Sequence, residues 1–323
     1  MPLDPSSVGA TGDPRTISWT SKDALLYAVG IGAGAADLPF STENTTGVEQ
    51  VVYPTFAVVA GSGTSSGGSS AMSKIGSFNV ALLVHGSQAI TLHRPIPVAA
   101  EATVQDRVAA MYDKGKAAVV VMQAETKLLS GEPLWTTRSA VFIRGEGGWG
   151  GDRGPSGPQN EPPADRAPDH DVTLQTAPDQ AFVYRLSGDR NPLHTDPSFA
   201  ALGGFDQPIL HGLCTYGFTG RALLGALADN DVTRFHHIEG RFSSPVLPGD
   251  ALTVRMWRTG DGEAVFTTSV GDRVVIDQEQ AHRTGAFRQP GTAAVRRADR
   301  NSADGRRHLI LDHSKHESYE SIN

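Results

Sequence analysis

The sequence predicts an α+β fold in which one β-rich unit occurs twice, each copy a curved antiparallel sheet associated with a helix. Three observations carry this. The segment 94–104, R-P-I-P-V-A-A-E-A-T-V, lines up with 244–254, S-P-V-L-P-G-D-A-L-T-V, at a constant offset of 150 residues that superposes Pro95 on Pro245 and Thr103-Val104 on Thr253-Val254. Long β-type runs follow each copy. One stretch of the second half is apolar on nearly every helical face, the pattern of a helix buried on all sides, and a curved sheet wrapped around it would bury it.

The elements follow in chain order. T-S-K-D from Thr20 is a capping-box variant that opens a helix over A-L-L-Y-A-V-G. A proline-stiffened turn at Pro95 leads into a strand, and the runs 117–129 and 134–143 read as further strands, with D-K-G-K at Asp113 as a hairpin connection. In the second half Thr176 is placed to cap a helix with Pro178 near its first turn and Ala181-Phe182-Val183-Tyr184 as its apolar stretch. The long buried helix begins near His211 and continues G-L-C-T-Y-G-F-T-G-R-A-L-L-G-A-L-A. Strands over 264–270 and 273–281 close the copy, with G-D-G-E at Gly260 as their counterpart turn. A duplicated unit accounts for the same hairpin order in both halves.

Residues 1–144 form the first half and 171–287 the second. Between them 145–170 is Gly/Pro-rich and charged, with no apolar periodicity, and reads as an extended linker over the surface. Residues 288–323, including R-R-A-D-R-N-S-A-D-G-R-R-H, are poor in core residues and read as a disordered tail.

Composition narrows the function classes. With 39% hydrophobic and 20% charged residues the chain can bury a core. A net charge of −7 gives no basic footprint for nucleic acid. No apolar run reaches the length of a membrane span, and mean hydropathy is −0.25. The N-terminus lacks the basic start and apolar core of a signal peptide. A single cysteine, Cys214, leaves neither an intrachain disulfide nor a zinc–thiolate cluster. These features predict a cytoplasmic protein in a reducing compartment, without membrane or nucleic-acid partners and without a metal.

The chemistry concentrates in Y-R-L-S-G-D-R-N-P-L-H, residues 184–194, which sets a carboxylate, Asp189, five residues from an imidazole, His194. Gly188 and Asn191-Pro192 punctuate the backbone between them and forbid a regular helix or strand. A kinked loop can fold both side chains onto one small volume, and an acid beside a group that titrates near neutrality can move protons to and from a water molecule.

This loop, together with the downstream F-D-Q-P-I-L-H-G-L, resembles the MaoC-like hydratase 2 family, the (R)-specific 2-enoyl-CoA hydratases. In particular it resembles the hydratase domain of peroxisomal multifunctional enzyme type 2. L-L-Y-A-V-G-I-G-A-G, Y-P-T-F and D-K-G-K-A-A-V-V extend the likeness to the first half, so it spans roughly residues 15 to 285. The resemblance implies a double hot-dog fold, with a long helix in the second half, an eroded one in the first, and room there for bulky acyl chains. It implies Asp189 and His194 as catalytic residues, Asn191 as orienting them, and the Gly212 N–H as donor to the thioester oxygen. Glu43, in D-L-P-F-S-T-E-N, falls where the family has a further acidic residue.

The chemistry agrees with that assignment. Hydration of a double bond conjugated to a thioester puts enolate character on the carbonyl oxygen, which a donor at the N-terminus of a buried helix would stabilise. Which of Asp189 and His194 carries which proton is open at this stage. His211 can bind the ligand or satisfy buried backbone groups, the second being the better reading. His85-Gly86 reads as a similar turn near the ligand, with structural and ligand-facing roles evenly weighted. Cys214 reads as a buried thiol rather than a nucleophile. The expected substrate is an enoyl-CoA or 3-hydroxyacyl-CoA, with CoA part of the substrate and no separate cofactor, and the expected assembly is a homodimer. A hot-dog thioesterase and a silent acyl-CoA-binding subunit are the alternatives.

Overall fold

The computed structural model describes residues 3–156 and 160–283, so the segment read as a tail lies outside the described residues. The first half contributes β1 (Arg15–Trp19), α1 (Ser21–Gly30), α2 (Leu38–Ser41), β2 (Leu83–Leu92), β3 (Ala100–Asp113), β4 (Ala117–Leu128) and β5 (Pro133–Arg144). The second contributes β6 (His170–Gln175), α3 (Gln180–Tyr184), α4 (Pro197–Leu202), α5 (Gly212–Ala228), β7 (Phe235–Phe242), β8 (Ala251–Gly260), β9 (Glu263–Val270) and β10 (Arg273–Arg283).

All these strands join one antiparallel sheet in the order β1-β3-β4-β5-β2-β7-β10-β9-β8-β6. Read inward from either edge, each half presents its own first, third, fourth, fifth and second strand. The duplication seen in ten residues of sequence is therefore a duplication of topology. The halves meet where β2 pairs with β7, with Ile90 opposite Ile238 and both buried. The fold is a double hot-dog.

The helix α5 fills the second half. Tyr216, Phe218, Leu223 and Leu224 are fully buried, and the helix packs on β6, β7, β8 and β10. Its small residues face the other half: Gly217 lies against Tyr27 and Ile31, and Gly220 against Thr55. A side chain at either place would drive the halves apart, which is why a helix of this burial carries glycines in its interior despite their cost of about 1 kcal/mol each. Asp229 ends it in the left-handed region, at φ 56°. The first half has a 3-10 turn, Pro54–Val58, against its strands β2 and β5, and α5 packs on that turn.

Most predicted strands fall within a residue or two of their observed bounds. The capping box holds, with the Thr20 N–H donating to the Asp23 carboxylate at 2.8 Å. Thr176 does not cap a helix. Its hydroxyl donates to Asp250 O at 2.7 Å and accepts from Gly249 N–H at 3.0 Å, because it ends β6 directly over the turn that starts β8. The five-residue α3 starts only after Asp179.

The segment between β5 and β6 contains neither helix nor strand among the described residues. It is nevertheless fastened. Asp113 accepts the N–H groups of Gly115 and Gly148 on one carboxylate oxygen (2.7 and 2.8 Å) and that of Gly150 on the other (2.7 Å). Trp149 packs on a smaller apolar cluster that includes Val108, Val120 and Ile143. No helix among the described residues is long and apolar enough to cross a membrane.

Candidate active site

The loop between α3 and α4 is built from tight turns. After Tyr184 the chain makes a 3-10 turn, Arg185–Ser187, and reverses at Gly188 with φ 129°, a conformation that side chains rarely adopt. Asp189 then accepts the Asn191 N–H on Oδ1 at 3.1 Å, and Asn191 Oδ1 accepts the Leu193 N–H at 3.0 Å. These two side chains replace the backbone bonds that a helix would supply. A second 3-10 turn, Pro192–His194, delivers His194 inward, leaving it 8% exposed.

His194 Nδ1 lies 2.8 Å from Ile209 O. A carbonyl oxygen can only accept, so Nδ1 carries the hydrogen and Nε2 presents its lone pair. His211 has the opposite arrangement. Its Nε2–H donates to Asp189 O at 3.2 Å, and its Nδ1 is buried without a partner. The two imidazoles stack, with ring centroids 3.8 Å apart and planes 29° from parallel, and the Tyr184 ring lies 5.0 Å from that of His211. Potential ligand atoms of Asp189, His194 and His211 all lie within 4.8 Å of one another.

Such a trio could suggest a metal. The stack argues against one. Imidazole lone pairs lie in the ring plane, so two rings stacked face to face hold them in nearly parallel planes, with centroids 3.8 Å apart. One ring would have to leave the stack before both could reach a single ion.

Burial sets the charge state. It pushes His194 below the ordinary histidine range, against the opposing pull of Ile209 O and the Asp189 charge. It pushes His211 further, to about 4, helped by His194 and by Arg185 and opposed by Asp189. Both rings are neutral at neutral pH.

The first half reaches the same place through β2. His85-Gly86 is not a turn. Both residues are in the strand, and the register to β5 shifts between His85 and Ser87, which makes Gly86 the extra residue of a β-bulge. The bulge leaves the His85 ring against Phe242, centroids 5.2 Å apart, and its Nε2–H donating to Ser87 O at 3.0 Å. Burial lowers the pKa of His85, while the Asp189 charge acts in the opposite sense, so the two lie within electrostatic reach.

Gly212 occupies the first position of α5. The intrahelical bonds begin with the amides of Cys214 and Thr215 on His211 O (3.0 and 3.1 Å), leaving the Gly212 N–H no acceptor inside the helix. A Cβ at Gly212 would meet the Phe242 ring at 3.4 Å. Phe242 thus packs on His85 and bounds the space beside Gly212, and no sequence motif signalled it. Cys214 is fully buried, its Sγ 3.4 Å from Gly30 O, and burial raises its thiol well above the usual range.

Glu43 stands apart. It is exposed in the loop after α2, and among the described residues it makes no hydrogen bond or ion pair to this cluster. The acid of this region with a charged partner is Asp37, at the other end of α2. Its carboxylate takes Arg221 of α5 at 2.9 and 3.3 Å, and the Tyr53 hydroxyl donates to it at 3.3 Å.

Residues 17–145 match the MFE-2 hydratase 2 N-terminal domain, and residues 159–280 match the MaoC like domain. The chain is 46% identical over 287 residues to 3-hydroxyacyl-thioester dehydratase Y of Mycobacterium tuberculosis, covering 86% of this chain and 97% of that one. It is 40% identical over 266 residues to an enoyl-CoA hydratase of the same organism, covering 80% and 91%. The crystal structure of a MaoC-like dehydratase from Phytophthora capsici superposes with a TM-score of 0.78 at 33% identity, over 87% of this chain and 98% of that one.

Proposed function

The chain belongs to the MaoC-like hydratase 2 family, and from that premise we propose that it is an (R)-specific 2-enoyl-CoA hydratase, reversibly converting trans-2-enoyl-CoA and water to (3R)-3-hydroxyacyl-CoA. That it is an enzyme of the hydro-lyase type, a hydratase or dehydratase, follows from its relatives. The handedness, the CoA carrier and a place in fatty-acid or sterol side-chain breakdown are our reading. The observation that carries it is the approach of Asp189 to a neutral His194 whose Nε2 is free, beside an unsatisfied helix N-terminus at Gly212.

In this reading water sits between the Asp189 carboxylate and His194 Nε2. Its oxygen bonds to C3, one of its protons passes to the pair, and the pair delivers a proton to C2, so the pair ends each turnover with the proton count it began with. Electron density shifted to the thioester oxygen meets the Gly212 N–H, a contribution of about 3 kcal/mol in comparable sites. Asn191 keeps the loop folded rather than touching substrate. No cofactor is needed beyond the CoA of the substrate.

The first half supports room for a large acyl group. Between the inner face of its sheet and the segment 57–65 lies an open cavity of about 260 Å³, lined by Ile17, Ala60, Val104 and Trp135 together with the polar Arg15, Ser62, Thr126 and Thr137. It occurs in the half that lacks a long central helix, and Ser62 on its rim packs against Gly188 of the candidate loop. We take this space as the entry for a long, branched or sterol-derived chain, a substrate class that rests on the family resemblance.

The test is loss of the conjugated enoyl-thioester absorbance on adding crotonyl-CoA and longer analogues, with the configuration of the product determined. Asp189→Asn and His194→Gln should each abolish it in a folded protein. Near-native rates in both would refute the assignment.

A further inference from the structure

We propose that His211 is a positioning residue that ties the oxygen-binding end of α5 to the water-holding loop, so that the Gly212 N–H and the Asp189–His194 pair keep a fixed separation. This rests on the hydratase reading above and adds a role to a residue which that mechanism leaves idle.

The connection is physical and short. The His211 side chain bonds the main-chain carbonyl of Asp189, 22 residues away in sequence. The peptide bond that follows His211 supplies the Gly212 N–H. The His211 ring also backs the His194 ring at 3.8 Å. One residue therefore holds the carboxylate's backbone, the imidazole's face and the oxyanion donor. Hydration needs its water at C3 and its donor at the thioester oxygen in register, and a misplacement of about 1 Å can cost on the order of 100-fold in rate.

A histidine retained only for packing would sit badly here. At 1% exposure its Nδ1 has no partner, and a buried nitrogen without a hydrogen bond is a net cost to stability. A phenylalanine or leucine would fill the same space without it. What an apolar residue cannot supply is the Nε2–H to Asp189 O. Nor is His211 placed to be a catalytic base, because its free lone pair is sealed inside the protein. The charged and titratable groups facing it are Asp189, His194 and Arg185, with the Tyr184 ring alongside. Burial and His194 keep it neutral, so it holds one tautomer while His194 gains and loses its proton.

Two variants separate the parts. His211→Phe keeps the ring stack and removes the donor, and His211→Gln keeps a donor and removes the stack. We expect His211→Phe to lower kcat for crotonyl-CoA hydration by about 10- to 100-fold with KM changed less than about threefold, and His211→Gln to recover a substantial part of that loss. In His211→Gln, water reaching His194 should raise its pKa and move the acid limb of the kcat profile to higher pH. Carbonyl polarisation supplies a readout that packing alone would not move. In an Asp189→Asn background, which should bind without turnover, the red shift of a bound dienoyl-CoA chromophore should shrink when His211→Phe is added. A His211→Phe enzyme with native kcat overturns the proposal, as does an unchanged red shift in the double variant. Absence of hydration by the native protein would instead refute the function reading, and this inference with it.

Discussion

Ser62 packs directly against Gly188, so that a segment of the first half closes onto the turn that presents Asp189. Gly188 also has φ 129°. Two constraints of different origin therefore fall on one glycine, a backbone conformation that side chains rarely adopt and a contact with no room for a Cβ. Gly188→Ala should destabilise the protein by about 1–3 kcal/mol and reduce hydration at least tenfold. Adding Ser62→Gly should restore part of the loss, since it relieves the contact and leaves the backbone strain. Denaturant melts and initial rates on the three proteins check this. Native stability in Gly188→Ala would contradict it.

The Gly212 amide can be removed by proline, whose Cβ would come into van der Waals contact with Phe242. Proline at the first helical position lacks only an N–H that the helix does not use, and its fixed φ suits a helix start. His211 is at φ −55° and ψ 130°, a conformation that tolerates a following proline. Gly212→Pro should therefore fold with a melting temperature within a few degrees of native and lose about 100- to 1000-fold in kcat. Retained activity in a folded Gly212→Pro protein would remove Gly212 from the mechanism.

Much of this was legible in the sequence, for identifiable reasons. Asp189 and His194 lie five residues apart in a loop whose glycine and proline leave little conformational choice, so their convergence is local. The long helix announced its burial by being apolar all round, and its interior glycines are explained by Ile31, Tyr27 and Thr55 across the half-to-half contact. What sequence could not show depends on pairing across long separations. The bulge at Gly86 exists only relative to β5. Thr176 looked like a helix cap because its partner, Asp250, is 74 residues away. Phe242 sits at the end of an ordinary strand and matters only because β2 and β7 are neighbours. Asp37 drew no notice because its cation, Arg221, lies in the other half.

Acid should weaken the fold early. His85, His194 and His211 all have their pKa lowered by burial, His211 to about 4. Between the unfolded value near 6.5 and these lowered values, the unfolded chain binds more protons than the native one. The stability held in the neutral rings is thus fully present above about pH 6.5 and declines as pH falls towards 4, by up to roughly 3 kcal/mol for His211 alone. Urea midpoints measured from pH 8 to pH 4.5 should fall along that course. They should fall less steeply in His211→Gln, which removes the group with the largest downward shift. A slope unchanged by that substitution would assign the acid sensitivity elsewhere.

Activity should follow the same proton. With Nδ1 committed to Ile209 O, protonation of His194 consumes the lone pair at Nε2. The acid limb of kcat/KM should therefore have its midpoint below 6.5, because burial lowers the His194 pKa. Asp189 opposes that shift, so any residual rate in Asp189→Asn should titrate lower still, and a limb that moves upward would contradict the arrangement.

The linker offers a test at the opposite end of the acid range. Backbone N–H donors from Gly148 and Gly115, then Gly150, hold the Asp113 carboxyl at about 2. Its contribution is therefore present above the unfolded carboxylate value of about 3.9 and lost as pH falls from there through about 2. Asn at this position keeps one acceptor oxygen but turns an NH₂ group towards one of the amides, so Asp113→Asn cannot satisfy both sides of the cradle. Amide exchange at Gly148 and Gly150 should accelerate in that variant at pH 7, together with a lower melting temperature. Hydration should be little affected, because Asp113 lies at the β3–β4 turn and no contact links it to the Asp189 loop among the described residues. Equal protection in both proteins would mean that the segment is held by Trp149 packing rather than by the carboxylate.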